Sequence, residues 1–586
     1  MKEFFKDAVR INQIEDPEKR EAEAEQLFNR LNQAVLPEYF NWASDIFEDL
    51  YATPNPDKTA LIWTDIDTFE TRTYSYRDMV HKANQLINFF EKSGIKKGDN
   101  LYMMGPVLPE NWFISLACIK AGLVCVPTAT TMTQRELEFR FETYAPAVII
   151  AEASFAGLMD RAMEETGVQP AVRLVIGTHD GWETFSAIDD EATAALPAQT
   201  RPDDTLFCFF TSGTTGLPKR VGHTAVSYPV GHLSTTVMLG ITPEDIHHNL
   251  SAPGWAKWAW SSFFAPFNVG ATTTAFKFSV LDGEQYLDAV SRHKVTTFCA
   301  PPTAWRMFVN MNLDSFDLSH IRESISAGEP LNPDLIGKWE THTGTLIRDF
   351  YGQTESTAMI GNPPWMKGKM RAGSFGKPFF MYDVALTDNE GNEITEPGRT
   401  GHIVVKLDRW RGIGLFSEYI GSPEKMSSVF VDNYYYTGDR ASFDEDGYWW
   451  FVGRADDVIK SSDYRIGPFE VESTLVEHPA VMEAAVIGAP DPNRYQLVKA
   501  YVILNPAFEP SRSLALELFK HTITILPKFK IPRIIEFVEE VPKTISGKIR
   551  RVELRQIEVT KQEHPEEDGL KEYFYWDFPE LSSKKR

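Results

Sequence analysis

The chain is short of cysteine, short of positive charge and without a long apolar run, and each shortage excludes something. Only four cysteines occur in 586 residues (Cys118, Cys125, Cys208 and Cys299), and none forms a Cys-x-x-Cys pair. That excludes a disulfide framework, argues against a zinc site and fits core thiols in a reducing compartment. Lys and Arg number 59 against 82 Asp and Glu, a formal charge of −23. A field of that sign repels phosphate backbones at long range, so no nucleic-acid partner is expected. The opening Met1 to Asp7 holds acids and no apolar core, so no signal or transit peptide is expected. The most apolar stretch, Phe113 to Met132, is broken by Lys120, Gly122 and Pro127. It reads as a buried helix (Phe113 to Lys120) and a buried strand (Leu123 to Pro127), with no membrane span. No fixed-period repeat is visible, and His-Glu-x-x-His, Gly-x-Ser-x-Gly and Walker A spacings are all missing. A soluble, cytoplasmic protein is expected, with oligomerisation left open.

What is present is an ordinary globular composition, 43% hydrophobic and 24% charged. The length demands two or more domains. Residues 1–36 read as a polar helical lead-in. From about residue 75 to 350, helical patterns alternate with short apolar runs. Met79 to Lys92 precedes Asn100 to Met104, and Leu281 to His293 precedes Val295 to Cys299. This alternation predicts an α/β region of mostly parallel sheets, with ligands off the carboxyl ends of strands. Between Gly376 and Lys406 the pattern turns β-rich around the hairpin signal Asp388-Asn389-Glu390-Gly391. A small α+β domain follows, with strands at Ala484 to Gly488 and Lys499 to Leu504 and a helix at Ser513 to Leu526. The expected division is 1–454 and 455–586. No element is assigned to the tail after about Val559.

The strongest local signal is the nonapeptide Thr211, Ser212, Gly213, Thr214, Thr215, Gly216, Leu217, Pro218, Lys219, directly after the apolar run Thr205 to Phe210. The glycines let backbone N–H groups approach an anion, and the hydroxyls and Lys219 add donors and charge. A short Gly/Thr turn of this kind is common on surfaces. The complete nonapeptide behind a strand is far more specific.

That nonapeptide resembles the phosphate loop of the adenylate-forming superfamily, which includes acyl-CoA synthetases, luciferases and peptide-synthetase adenylation domains. Five further blocks follow in the same order. They are Gly328-Glu329-Pro330, Tyr351-Gly352-Gln353-Thr354-Glu355, Tyr436-Thr-Gly-Asp439-Arg440, Gly453-Arg454-Ala-Asp456-Asp457 and Pro542-Lys-Thr-Ile-Ser-Gly-Lys548. Phe40 to Asp45 and Tyr464 to Ser473 look most like the medium-chain acyl-CoA synthetase branch.

The resemblance implies ATP-dependent activation of a medium-chain or aryl carboxylic acid, then transfer of the acyl group to CoA with release of AMP. A carrier-protein thiol as acceptor, or a nucleotide-binding regulator without turnover, remains an alternative. It implies ATP, Mg²⁺ and CoA as cosubstrates. Thr211, Glu355 and Lys548 are the implied catalytic residues, with Glu355 the magnesium ligand. The 211–216 loop, Lys219, Gly328 to Pro330, Tyr351 to Glu355, Asp439, Arg454 and Lys548 are the implied ATP contacts. An aspartate suits ribose because one carboxylate accepts from two hydroxyls. Trp255 and Gly352 are implied to border the acyl pocket, and Asp456 to act as the hinge of a swinging C-terminal domain. Ser462, Asp463, Tyr464, Arg465, Arg494 and Arg533 are implied CoA contacts. Many relatives carry glycine where this chain has Asp463, and relatives often carry it where this chain has Tyr495. Acetate-specific relatives carry tryptophan at the position of Gly352, so glycine there implies an open acyl pocket.

Overall fold

A computed structural model describes residues 1–211, 218–328, 331–371, 373–461, 464–491, 494–543, 548–563 and 572–581. By contact density the chain forms two compact units, Met1–Val384 with Val405–Tyr435, and Ala385–Val404 with Tyr436–Arg586.

The first unit holds two large sheets. In the eight-stranded one, Asn100–Met104 lies parallel to Val124–Thr128 on one side and Val148–Glu152 on the other. The connecting helix Glu110–Ala121 is buried almost all round and ends at Gly122, whose φ of 68° is the left-handed value that favours glycine. That helix carries the first part of the apolar stretch Phe113 to Met132, and strand Val124–Thr128 follows with the next part. Among the described residues, no helix is long and apolar enough to cross a membrane. The nine-stranded sheet has a parallel centre of Thr59–Asp65, Thr272–Lys277, Ile246–Asn249, Thr297–Ala300, Glu323–Ala327 and Ile347–Tyr351. These strands are almost wholly buried although they carry polar residues such as His247, His248, Thr273, Glu323 and Arg348, as expected of a parallel sheet covered on both faces.

Local chemistry explains the boundaries. Ser75 and Asp78 form a capping box that starts the helix Tyr76–Lys92. Asp282 caps Gly283–Arg292, and the expected strand at Val295 begins two residues later, at Thr297. The reason is the helix exit: Lys294 is left-handed (φ 51°), and Val295 N–H still donates to the Val290 carbonyl. The lead-in forms two helices, Lys2–Asn12 and Pro17–Asn32.

In the second unit the long hairpin Val481–Asp491 and Tyr495–Leu504 is packed by helices Pro468–Val476 and Arg512–Ile525. The Asp388 turn is a hairpin here, with Ile394 N–H donating to the Leu386 carbonyl. The tail, unassigned from sequence, returns as strand Glu572–Phe574 antiparallel to Ile534–Phe537. Glu572 binds Lys499, which also meets Glu536 (2.7 Å) and Glu558 in the interior. This is also the one grouping of acids with metal-like spacing among the described residues, and the Lys499 ammonium bonds all three.

Candidate active site

Strand Thr205–Thr211 runs antiparallel to Lys219–Thr224, with Thr211 directly opposite Lys219. The two ends of the nonapeptide are therefore held together by backbone pairing. Ser212 to Leu217 lie outside the described residues. Alternation along the second strand puts Lys219, Val221 and His223 on one face. The short strand Glu418–Tyr419 pairs with it so that Tyr419 lies opposite Val221, on that same face.

This register builds the centre of the site. Lys219 Nζ lies 4.7 Å from the centroid of the Tyr419 ring and 3.5 Å from its hydroxyl. The hydroxyl donates to Glu355 Oε1 at 2.8 Å. A cation and a carboxylate are thus gathered beside the phosphate-loop strand without a direct ion pair being required. The loop carrying Glu355 is fixed from three sides. His223 Nε2 meets the Thr354 carbonyl at 2.7 Å. Tyr435 donates to Gln353 Oε1 at 3.0 Å, and Phe416 N–H donates to the Glu355 carbonyl. Burial pushes His223 down to about 4, so it is neutral at pH 7. Its Nε2 then carries the proton, since a carbonyl only accepts, and Nδ1 accepts from Ser227.

Residues 351–355 are each partly exposed, whereas 356–366 are buried without a break. The motif is a rim of accessible groups on a solid base. Gly352 packs directly on that base. A Cβ there would overlap the Thr357 carbonyl oxygen and stand 3.0 Å from Trp260 Cη2. The room that glycine suggests is therefore backed by an indole. Trp255 is half-buried in a turn whose Lys257 donates to the Ala327 carbonyl at 3.0 Å, beside the strand end at Gly328. Gly328 has φ 106°, and strand Glu323–Ala327 pairs with Ile347–Tyr351, so the two motifs leave neighbouring carboxyl ends of the parallel sheet. Glu329 and Pro330 lie outside the described residues.

In the second unit, Asp439 and Arg454 are cross-strand partners, although fifteen positions apart in sequence. Arg454 Nε is 3.5 Å from Asp456. The neighbouring Asp457 binds Arg555 at 2.8 Å, tying this turn to the helix Arg551–Glu563. Lys548 is exposed next to Ile549, which bridges to Lys543 at the base of the loop. Its basic neighbours have structural roles: Lys543 pairs with Glu483, Arg550 with Glu553 and Arg551 with Glu472. Tyr464 stacks on Phe529 (4.3 Å), Arg494 is exposed, and Arg533 lies over Tyr575 (4.7 Å). Burial and nearby Arg494 lower the pKa of Arg533, which places two cations close together. Ser462, Asp463 and the Arg465 side chain lie outside the described residues.

Sequence reading missed Tyr419, His223 and Tyr435, and quoted Asp457 within its motif without giving it a role. Of the three missed, only His223 left a signal, its even spacing from Lys219 on one strand. His247 and His248 are core groups, bound to Thr297 and Ser261, and to Thr274 and Tyr286.

Two parallel α/β sheets, a separate α+β unit and a cation–acid pair beside a Gly/Thr-rich hairpin define an adenylate-forming ligase. The family model for the AMP-binding enzyme matches residues 49–419, and that for the AMP-binding enzyme C-terminal domain matches 470–548. A 4-hydroxybutyrate–CoA ligase of Metallosphaera sedula is 51% identical over 92% of this chain and 93% of its own length. The mitochondrial acyl-coenzyme A synthetase ACSM3 of Rattus norvegicus is 37% identical over 90% and 92%. The crystal structure of the anthranilate CoA ligase AuaEII with anthranoyl-AMP superposes with a TM-score of 0.82 at 31% identity, covering 90% of this chain and 99% of that one. The chain belongs to the AMP-binding enzyme family. Within it, the chain is an acyl-CoA synthetase.

Proposed function

We propose that the protein joins a carboxylic acid to CoA in two steps, with the roles divided between the residues described above. The acid's carboxylate oxygen attacks the α-phosphorus of ATP, and the bond to pyrophosphate breaks. The CoA thiol sulfur then attacks the acyl carbonyl, loses its proton, and AMP leaves. The observation that carries this reading is the Lys219–Tyr419–Glu355 arrangement beside Thr211.

Both partners of the first step are anions, so their approach must be neutralised. Thr211 and Lys219 hold the phosphates. Glu355, partly exposed and oriented by Tyr419, is of the right chemistry to hold Mg²⁺, which when bound offsets phosphate charge. Gly328, Glu329, Pro330 and Tyr351 to Thr354 line the base, and Asp439 with Arg454 binds ribose. Lys548, long and exposed, orients the carboxylate against the α-phosphate. Residues 455–586 swing as a domain about Asp456 between the steps. Ser462, Asp463, Tyr464, Arg465, Arg494 and Arg533 serve CoA. The acid is linear or aryl and larger than acetate, in keeping with the relatives for 4-hydroxybutyrate and anthranilate. Four buried free thiols support a cytoplasmic location.

The test is incubation with a panel of acids, ATP and Mg²⁺, with and without CoA. AMP and acyl-CoA should appear together only when CoA is present. Acid-dependent pyrophosphate exchange with no CoA product would leave adenylation standing and remove the second step.

A further inference from the structure

The C-terminal tail returns past Lys548, the last of the motif residues, and does more than close a sheet. Tyr575 N–H donates to the Arg533 carbonyl (2.9 Å), and Arg533 N–H donates to the Val498 carbonyl (2.7 Å). Arg533 is thus stitched between the strand Tyr495–Leu504 and the tail. Its guanidinium lies over the Tyr575 ring, 4.7 Å from the centroid, and Nη2 donates to the Lys528 carbonyl at 3.0 Å. The ring is fixed in turn: it meets Phe519 at 86° with 5.7 Å between centroids, and its hydroxyl donates to the Leu581 carbonyl (3.3 Å). Glu572 on one side of it is held by Lys499, and Phe578 on the other is buried in the core of the unit. Arg494 is exposed in the turn that leads into the same central strand, and it acts on Arg533 as a neighbouring cation. Asp491, an acid of that turn, accepts from the Arg494 backbone N–H (2.7 Å). Among the described residues, no carboxylate forms an ion pair with either guanidinium. Two like charges brought together without a matched acid repel until an anion joins them.

We infer that the tail selects the acyl acceptor, with Tyr575 the positioning residue that holds Arg533 beside Arg494 as a seat for the 3′-phosphate of CoA. The inference rests on the ligase reading and on those two arginines serving CoA. A phosphomonoester carries about two negative charges near pH 7, and guanidinium forks pair with its oxygens. CoA has one such group, on the ribose and far from the thiol. The phosphates of its pyrophosphate bridge are diesters with a single charge each, so two adjacent guanidiniums match the ribose phosphate better. The phosphopantetheine arm of a carrier protein has no phosphomonoester. A seat of this kind therefore favours free CoA as the acceptor.

The experiment measures thioester formation with CoA and with dephospho-CoA, which lacks only that phosphate, in wild type, Tyr575→Ala, Tyr575→Phe and Arg494→Gln. Wild type should favour CoA at least about tenfold in kcat/KM, the scale of a hydrogen bond to a charged group. Tyr575→Ala should raise the KM for CoA about two- to fivefold, the scale of an exposed cation–π contact, and not that for dephospho-CoA. Tyr575→Phe keeps the ring and should match wild type. An equal loss with both thiols in Tyr575→Ala would overturn the inference and make the tail a packing element. If Tyr575→Ala fails to fold, Arg494→Gln changes an exposed position and should still cut the preference for CoA at least about fivefold, and an unchanged preference there overturns the inference too. Wild type that uses both thiols equally would overturn the phosphate seat alone. Acid-dependent pyrophosphate exchange with no product from either thiol would overturn the CoA step of the ligase reading, and the inference with it.

Discussion

Glu323 and Glu355 sit on adjacent strand and loop of one sheet and live in opposite regimes. Glu323 is 3% exposed and meets Arg348 (2.9 Å), Lys367 (2.8 Å) and Arg322 (3.2 Å). Burial opposes its charge, but these cations outweigh burial and hold its pKa below the ordinary glutamate value. Glu355 stays partly exposed and receives one tyrosine hydroxyl. The second unit repeats the contrast, with Lys499 wholly buried among three acids and Lys548 exposed at a loop. Charges that hold the fold are buried and matched within it. Glu355 and Lys548, two of the charges assigned to chemistry, keep surface that a substrate can reach.

The largest effect expected from breaking this contrast is on stability. Arg348→Ala removes a buried partner of Glu323 and strands the Met238, Leu239 and Asn362 carbonyls that the guanidinium serves. Breaking a buried pair from one side costs about 3–5 kcal/mol, which urea unfolding should report. A loss below about 1 kcal/mol would place Arg348 with ordinary surface residues.

Lys548→Ala should do the reverse. The melting temperature stays unchanged while acid-dependent pyrophosphate release falls about 10²–10³-fold, the usual loss for one transition-state stabiliser. Thioester formation from supplied acyl-adenylate should persist. Parallel loss of both steps would argue against a swinging domain.

Gly352→Ala probes the join between rim and base. Its Cβ overlaps the Thr357 carbonyl, and overpacking of this kind costs about 1–3 kcal/mol. Activity should drop for every acid alike, and Gly352→Trp should not simply convert the enzyme to acetate. A clean exchange of preference in the tryptophan variant would show that the loop yields.

Buried titratable groups give a pH signature. Burial pushes Asp349, two residues before Tyr351, up to about 8. The native protein keeps a proton that the unfolded chain releases near pH 4, so this group lowers stability as pH rises between about 4 and 8. His223 and His247 act oppositely, since burial pushes both down to about 4. Their contribution is present above about pH 6.5 and is lost as pH falls toward 4. Asp349→Asn should therefore remove a decline in melting temperature between pH 6.5 and 8 while leaving the acid-side loss. An identical alkaline slope in the variant would exclude Asp349 as its source.

The smallest effect belongs to Tyr495, which holds φ 68° at the start of its strand. Tyr495→Gly relieves a left-handed strain of about 1–2 kcal/mol against a glycine entropy cost of about half that. Calorimetry should show a net gain of less than about 1 kcal/mol. A loss would mean that the exposed ring has contacts of its own.

The fold was legible wherever short-range signals were strong. The strand Asn100–Met104 came out with the bounds read from its apolar run, and the hairpin at Asp388 followed from its turn residues. The tail was not legible. Glu572 to Phe574 are strand because Ile534–Phe537 and Lys499 await them, and neither is near in sequence. In the site, Thr211, Glu355 and Lys548 were marked by motifs. Tyr419 was invisible, because what makes it matter is register against Val221, 198 positions earlier.

The sequence by itself determined the order of elements, the motif-borne charges and the family, since each is written in residues close together along the chain. Tertiary structure alone decided which tyrosine joins Lys219 to Glu355, which charges are buried, and that an indole stands behind Gly352. Those facts depend on strand register and on packing between segments far apart, and local spacing carries no record of either.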